Sequence, residues 1–297
     1  MENFKYLGEV CALLSPVAWS FAVILFRKTG EQVKPVALNL AKALVATLFF
    51  GLALLVFGDG PPESVEPWQY GILIVSGLLG VGLADLFFLM CLNRLGAGRQ
   101  AIVNTAYSPP IILLSAIFLG EHLSAMQFVG VALILSAVLM VGLTKSADPN
   151  EPLMAGILWG VAACLCQAVS IVMVKPFLGD WPLIWSTHWR MVGGLLGTIL
   201  IAVLASPQNR GLAVLKTRAA WRLMMPPVVI GSCISLLLWM AGYKYADASV
   251  AAALGQTATL FTFLLAVLLL HEPVTPRRLV GLALGMLGAA LVTFMGA

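Results

Sequence analysis

The chain has 297 residues, of which 61% are hydrophobic and only 10% charged, with a net charge of +4 and a mean hydropathy of +0.99. A water-soluble domain of this length needs far more polar surface to cover its core, so that class is excluded. The sequence has no basic patch interleaved with aromatics and no Walker motif, which excludes nucleic-acid binding and direct drive by ATP.

In chain order the sequence predicts ten apolar helices, each close to the ~20 residues that cross a bilayer at ~1.5 Å per residue. The first five are Leu7–Phe26, Val36–Phe57, Gly71–Asn93, Ala101–Leu119 and Ala125–Leu143. The second five are Leu153–Val174, Leu183–Ala205, Met224–Tyr243, Ser249–Leu270 and Pro276–Met295. The first stretch carries Glu9 and is too long for a signal-peptide core. The longest joint, residues 206–223, is too short to fold alone. The five cysteines all fall inside apolar spans, at spacings that suit small buried hydrophobes and no zinc site. No metal and no cofactor is expected.

The polar joint Thr144–Pro152 divides the chain into five spans and five spans. Span 4 ends in Phe-Leu-Gly-Glu121-His-Leu-Ser124, and span 9 ends in Leu-Leu-His-Glu272-Pro-Val-Thr275. At this offset of 151 residues, Gly130 also matches Gly281; near the start of each half an offset of 148 pairs Arg27 with Lys175 and Lys42 with Arg190. Five is odd, so a second copy enters the membrane from the opposite side. The expected fold is an all-α integral membrane protein of ten transmembrane helices in two inverted five-helix repeats, residues 1–146 and 147–297. Such halves can open a midplane site first to one side and then to the other.

The span count, the length and the paired Glu motifs, each followed by a glycine (Gly130, Gly281), resemble the EamA branch of the drug/metabolite transporter superfamily across essentially the whole chain. The resemblance implies a permease for amino acids, related metabolites or drugs. Family members often carry a proline in spans 4 and 9. Here Pro109-Pro110 stands in span 4 and span 9 has none, so equal bending of the halves is not expected.

Locally, Ser124-Ala125-Met126-Gln127 reads as a capping box, and Thr275-Pro276 sets a capping residue before a first-turn proline. Glu121 and Glu272 then either tie turns to helix ends or act as gates. Basic residues concentrate in the odd-to-even joints, from Arg27 and Lys28 to Arg277 and Arg278; the other side has Lys5, Lys175 and Lys244 alone. The positive-inside rule puts both termini outside the cytoplasm, whereas the resemblance implies both inside; the size of the charge bias favours outside.

Polar groups within the spans are the clues to function. Asp85 lies deep in span 3, where a bare carboxylate costs at least ~2.5–3.5 kcal/mol, so it faces the interior and is paired, hydrated or protonated. It is either a proton-coupling site or partner to a substrate amine, or else a buried ion pair that orders the bundle. Lys42 and Arg190 sit at matched repeat positions and suit a carboxylate, phosphate or other anionic group, Arg190 with a planar fork; the alternative is that both snorkel to an interface. His188 and Trp185 adjoin Arg190 in sequence. Asn39 shares a helical face with Lys42, and Asn104 shares one with Tyr107 just before the Pro109-Pro110 kink. Trp19, Gln167, Trp239 and Gln256 complete the candidate substrate-binding wall, each also explicable as packing. Glu9 is expected at the interface.

These features point to a secondary active transporter of small polar metabolites such as amino acids or related zwitterions and anions, acting as an exporter by alternating access. The expected partners are a small-molecule substrate, the lipid bilayer and a coupling proton. A homodimer is a further option, because Gly156/Gly160, Gly193/Gly197 and Gly281/Gly285 allow close helix crossings either internally or between copies. A bacterial inner membrane is the expected location. The alternatives are a multidrug efflux carrier for cationic compounds and, less favoured by the residues, a membrane-embedded enzyme or a channel. An enzyme lacks a convergent nucleophile, base or metal set here, and a channel lacks a pore-loop signature.

Overall fold

The computed structural model describes residues 7–57, 60–62, 65–119, 124–142, 153–177, 180–245 and 248–294. These are helical almost throughout, with no strand among the described residues. That follows from the sequence: inside hydrocarbon a backbone with no water must satisfy its own N–H and C=O groups, and a helix does so within one segment.

In chain order the helices are α1 (Leu7–Thr29), α2 (Pro35–Phe57), α3 (Pro67–Gly77), α4 (Asp85–Leu95), α5 (Ala97–Asn104), α6 (Ser108–Leu119) and α7 (Ala125–Gly142). The second group is α8 (Leu153–Val174), α9 (Leu183–Leu204), α10 (Pro207–Arg210), α11 (Arg218–Pro227), α12 (Leu236–Tyr245), α13 (Ala248–Leu270) and α14 (Pro276–Phe294). Helix runs through the described part of each predicted span, ending at Leu204 in the seventh. Among the described residues, seven helical runs are long and apolar enough to cross a membrane, and Thr257–Leu270 is a shorter apolar one.

Three features depart from the predicted spans. Span 3 contains a π-helical stretch, Leu78–Ala84, ending immediately before Asp85, and span 8 contains another, Val228–Ser235. Span 4 is broken into α5, a 3₁₀ turn at Thr105–Tyr107, and α6, while α13 in span 9 is continuous, in keeping with the unequal prolines. The joint 206–223 is folded rather than open: α10 and a 3₁₀ segment at Leu212–Lys216 lead into α11, with Trp221 Nε1 donating to Leu215 O at 2.8 Å.

The helices pack so that spans of one half interleave with spans of the other. α1 lies against α12 and α13; α8 lies against α4 and α6; α2 packs on α9, α5 on α13 and α7 on α14. Serines clasp two of these crossings reciprocally. Ser15 Oγ donates to Ser235 O at 2.9 Å and Ser235 Oγ to Ser15 O at 3.1 Å. Ser76 Oγ donates to Ser170 O at 2.8 Å and Ser170 Oγ to Ser76 O at 2.7 Å.

Glycine permits the closest approach, between span 3 and α9. A Cβ on Gly77 would lie 1.9 Å from Arg190 O, and one on Gly193 would lie 2.1 Å from Ile74 O. Gly156 faces Leu95, Gly197 faces Leu78, and Gly285 faces Thr105, so the predicted glycine pairs serve internal crossings. The outer face is apolar: Leu44, Leu48, Leu52 and Leu55 of α2 are exposed at helical spacing, while Leu38, Ala41, Lys42 and Phe50 point inward. That inversion of the soluble pattern is what a lipid-facing helix requires.

One end of the bundle is densely sealed. Phe26, Val33, Leu38, Leu92, Ala97, Ala266 and Met224 form one buried cluster beneath the joints that carry most of the basic residues. Thr29 Oγ1 donates to Leu223 O at 3.2 Å, and Lys34 Nζ donates to Gln208 O.

Candidate functional site

The interleaved helices bring buried charges together near the centre. Lys42 Nζ of α2 lies 2.5 Å from Asp85 Oδ2 at the start of α4, with side-chain exposures of 5% and 20%. The ammonium also sits over the rings of Trp19 (5.8 Å) and Phe26 (5.7 Å). An ammonium held by one carboxylate and two aromatic faces does not snorkel; the interface alternative for Lys42 is overturned by its burial.

Asp85 follows directly on the π-helical turn. A π turn shifts the backbone bonds from i→i+4 to i→i+5. Asn39 adds a side-chain donor within it: its Nδ2 donates to Gly82 O at 2.8 Å and to Val81 O at 3.3 Å. Asn39 is therefore a brace for the backbone that carries Asp85, and its buried Oδ1 has no hydrogen-bond partner.

Arg190 is buried on α9 and held by the serine clasp between span 3 and α8. Its Nε donates to Ser76 Oγ and its Nη2 to Ser170 Oγ, both at 3.1 Å. This too overturns snorkelling. Asp85 and Tyr107 are within electrostatic reach of the guanidinium. Gln167 stands one turn before Ser170; a Cβ on Gly80 would meet both side chains, at 3.2 Å and 2.4 Å. Lys42, Asp85, Arg190, Asn39, Gln167, Trp19 and Tyr107 thus belong to one polar core, in which each charged group has a named partner.

Other predicted residues lie elsewhere. His188 turns from Arg190 toward α2, where a Cβ on Gly51 would lie 3.1 Å from its Cε1; Gly51 is nine residues, ~13 Å of helix, beyond Lys42. Trp185 belongs to an aromatic cluster, edge-to-face with Tyr70 (5.4 Å) and Trp181 (5.8 Å), a packing role in the first turn of α9. The Asn104 side chain is exposed at the last residue of α5, just before the 3₁₀ turn. Trp239 is partly buried on α12. Glu121 and the side chain of Gln256 lie outside the described residues. Glu9, expected at the interface, has its Oε2 buried without a hydrogen-bond partner.

The two predicted caps are present. Gln127 N donates to Ser124 Oγ at 3.3 Å while Ser124 N donates to Gln127 Oε1 at 2.8 Å, and Arg278 N donates to Thr275 Oγ1 at 3.3 Å. Ser76 and Ser170 were not among the predicted site residues. Their signal was weak, a lone hydroxyl in each apolar run, Ile-Val-Ser-Gly and Ala-Val-Ser-Ile. No cluster of three or more His, Cys, Asp or Glu side chains suited to a metal occurs among the described residues.

Comparison with known proteins gives one consistent result. The EamA-like transporter family matches the chain twice, over residues 6–143 and 154–294. A chloroplastic WAT1-related protein of Arabidopsis thaliana is 23% identical over 293 residues, covering 96% of this chain and 69% of its own length. A protein of known crystal structure superposes over 100% of this chain and 98% of its own, with a TM-score of 0.66 at 19% identity, a likeness of fold.

Proposed function

Because the chain belongs to the EamA-like transporter family of the drug/metabolite transporter superfamily, we propose that it is a secondary active exporter of amino acids or related small zwitterions and anions. It is a multi-pass integral membrane protein with a small-molecule substrate and the bilayer as its partners. The proposed working units are two inverted repeats of five spans, residues 1–146 and 147–297. Three observations support this division: the two family matches, the π-helical stretches 78–84 and 228–235 at an offset near 150, and the reciprocal serine clasps between halves. The proposed location is a bacterial inner membrane; the Arabidopsis relative is described as chloroplastic.

The observation that carries the substrate class is the Lys42–Asp85 pair. In a water-poor core neither charge is stable without an opposite charge beside it. A zwitterion can replace the pair without leaving net charge, its carboxylate on Lys42 and its ammonium on Asp85. Arg190 biases the same region towards anions. For an anionic substrate, the anion on Lys42 together with a proton on Asp85 would replace the pair in the same charge-balanced way, which links occupancy to a pH gradient. Rocking of one half against the other would then carry the occupied site across.

A second reading, efflux of cationic drugs, draws on the aromatic pairs made by Phe87 and Phe88, which follow Asp85 in α4: Trp19–Phe88 at 5.6 Å and Phe87–Trp159 at 5.1 Å. Counterflow in proteoliposomes against amino acids, organic acids and cationic drugs, with and without a pH gradient, separates the two. The first reading expects saturable exchange of an amino or organic acid that the gradient accelerates and that Asp85→Asn renders insensitive to it. Exchange of cationic drugs alone overturns it in favour of the second.

A further inference from the structure

On the basic face of the bundle, Glu272 crosses from the second half to the first. Its Oε1 accepts from Ala97 N at 2.7 Å and its Oε2 from Gly98 N at 3.2 Å, so the carboxylate caps the first turn of α5. Arg278, itself buried, donates from Nη1 to Oε2 at 3.3 Å and to Pro273 O at 2.8 Å. The carboxylate is partly buried, with 14% side-chain exposure. A carboxylate on two helix N-terminal amides and a guanidinium satisfies the helix dipole and both ionic groups at once.

The local backbone is shaped for this contact on both sides. Gly96 adopts φ 79°, a left-handed conformation, and a Cβ there would lie 2.7 Å from Glu272 Oε1; one on Gly98 would lie 3.0 Å from Oε2. Opposite, His271 takes φ 54°, a left-handed conformation uncommon outside glycine, and so turns the chain after α13 to present Glu272. At the repeat offset of 151, Gly96 and Gly98 correspond in sequence to Asp247 and Ser249. The glycine cradle is therefore written into one half only.

The contact sits over the apolar cluster that seals this end, in which Ala97 and Ala266 both take part. Asp85 lies ten residues before Leu95 at the end of α4, ~15 Å inward along the helix.

We infer that the Glu272 carboxylate, with Arg278 and the Gly96–Gly98 cradle, is a latch that keeps the basic face of the carrier closed over the Lys42–Asp85 pair. Opening that face requires α5 and the α13–α14 turn to part, which breaks the two amide–carboxylate bonds, while the Arg278–Glu272 ion pair lies within the turn and moves with it. The inference rests on the carrier reading for what the gate serves, but the latch is measurable without any substrate.

The experiment is hydrogen–deuterium exchange mass spectrometry on the full-length protein in lipid nanodiscs, comparing wild type with Glu272→Gln and Gly98→Ala. Glutamine keeps the shape and loses the charge; alanine keeps the carboxylate and fills its cradle. Both variants are expected to raise exchange by about tenfold or more at residues 96–100 and also at 78–85, the π-helical turn beside Asp85, as water enters from the basic face. Acceleration confined to 96–100 reduces Glu272 to a static cap and overturns the gate, as does unchanged exchange in both segments. If Glu272→Gln does not fold, Gly98→Ala alone decides on the same two segments. A negative counterflow assay combined with the expected exchange pattern overturns the transport reading and leaves the latch; transport without that pattern overturns the latch alone.

Discussion

Lys42 Nζ meets Asp85 Oδ2 at 2.5 Å across two helices, and the carboxylate belongs to the first residue after a π-helical turn. The pair therefore depends on a backbone irregularity as well as on charge. Removing either partner leaves a buried ion uncompensated, a loss of about 3–5 kcal/mol. We expect Lys42→Met and Asp85→Asn each to lower the thermal midpoint in detergent markedly, and the double variant to recover most of the loss. Additive losses in that double-mutant cycle would mean that the two side chains do not stabilise each other.

Asn39 is expected to matter through the π turn. Its Nδ2 is the described side-chain donor to the carbonyls of Val81 and Gly82. Asn39→Ala should cost about 0.5–1.5 kcal/mol, the net worth of a buried hydrogen bond. It should also speed amide exchange over residues 81–85. An unaltered midpoint together with unaltered exchange would show that the π turn holds itself.

Arg190 makes its two hydroxyl contacts with adjacent sides of a rigid fork. Lysine offers a single point charge and cannot span Ser76 and Ser170 in the same way. Arg190→Lys is expected to cut counterflow by about tenfold, equivalent to ~1.4 kcal/mol, with a smaller effect on the thermal midpoint. Full activity in the lysine variant would show that charge alone suffices at this position.

The span 3–α9 crossing gives a sharp steric test. Gly77→Ala and Gly193→Ala would drive a methyl group into the backbone carbonyls of Arg190 and Ile74, and backbone cannot rotate aside. Each should destabilise by about 3 kcal/mol or more. Gly71→Ala, with nothing within 4 Å of its Cβ position, should be neutral in the same thermal assay. Equal midpoints for all three would argue against so close a crossing.

Much of this protein was legible in its sequence because membrane insertion imposes a one-dimensional rule. An apolar run of about 20 residues must be helical and must end where polar residues begin. The helical stretches, the capping box at Ser124, the capping Thr275, and the broken span 4 set against the continuous span 9 all follow from local pattern. Asp85, Lys42 and Arg190 stood out because each is costly in hydrocarbon unless paired. What tertiary structure alone decided was who pairs with whom. That Lys42 takes Asp85, that Arg190 is held by two inconspicuous serines, that His188 turns away from its neighbour, and that Glu272 reaches the amides of Ala97 and Gly98 all depend on helices distant in sequence. The π-helical turns were likewise invisible, since Leu78–Ala84 and Val228–Ser235 are ordinary apolar runs. Hydropathy records the cost of burying a group, whereas the partner that meets that cost is fixed by packing at contact distance, through glycine crossings that let helices from the two halves interleave.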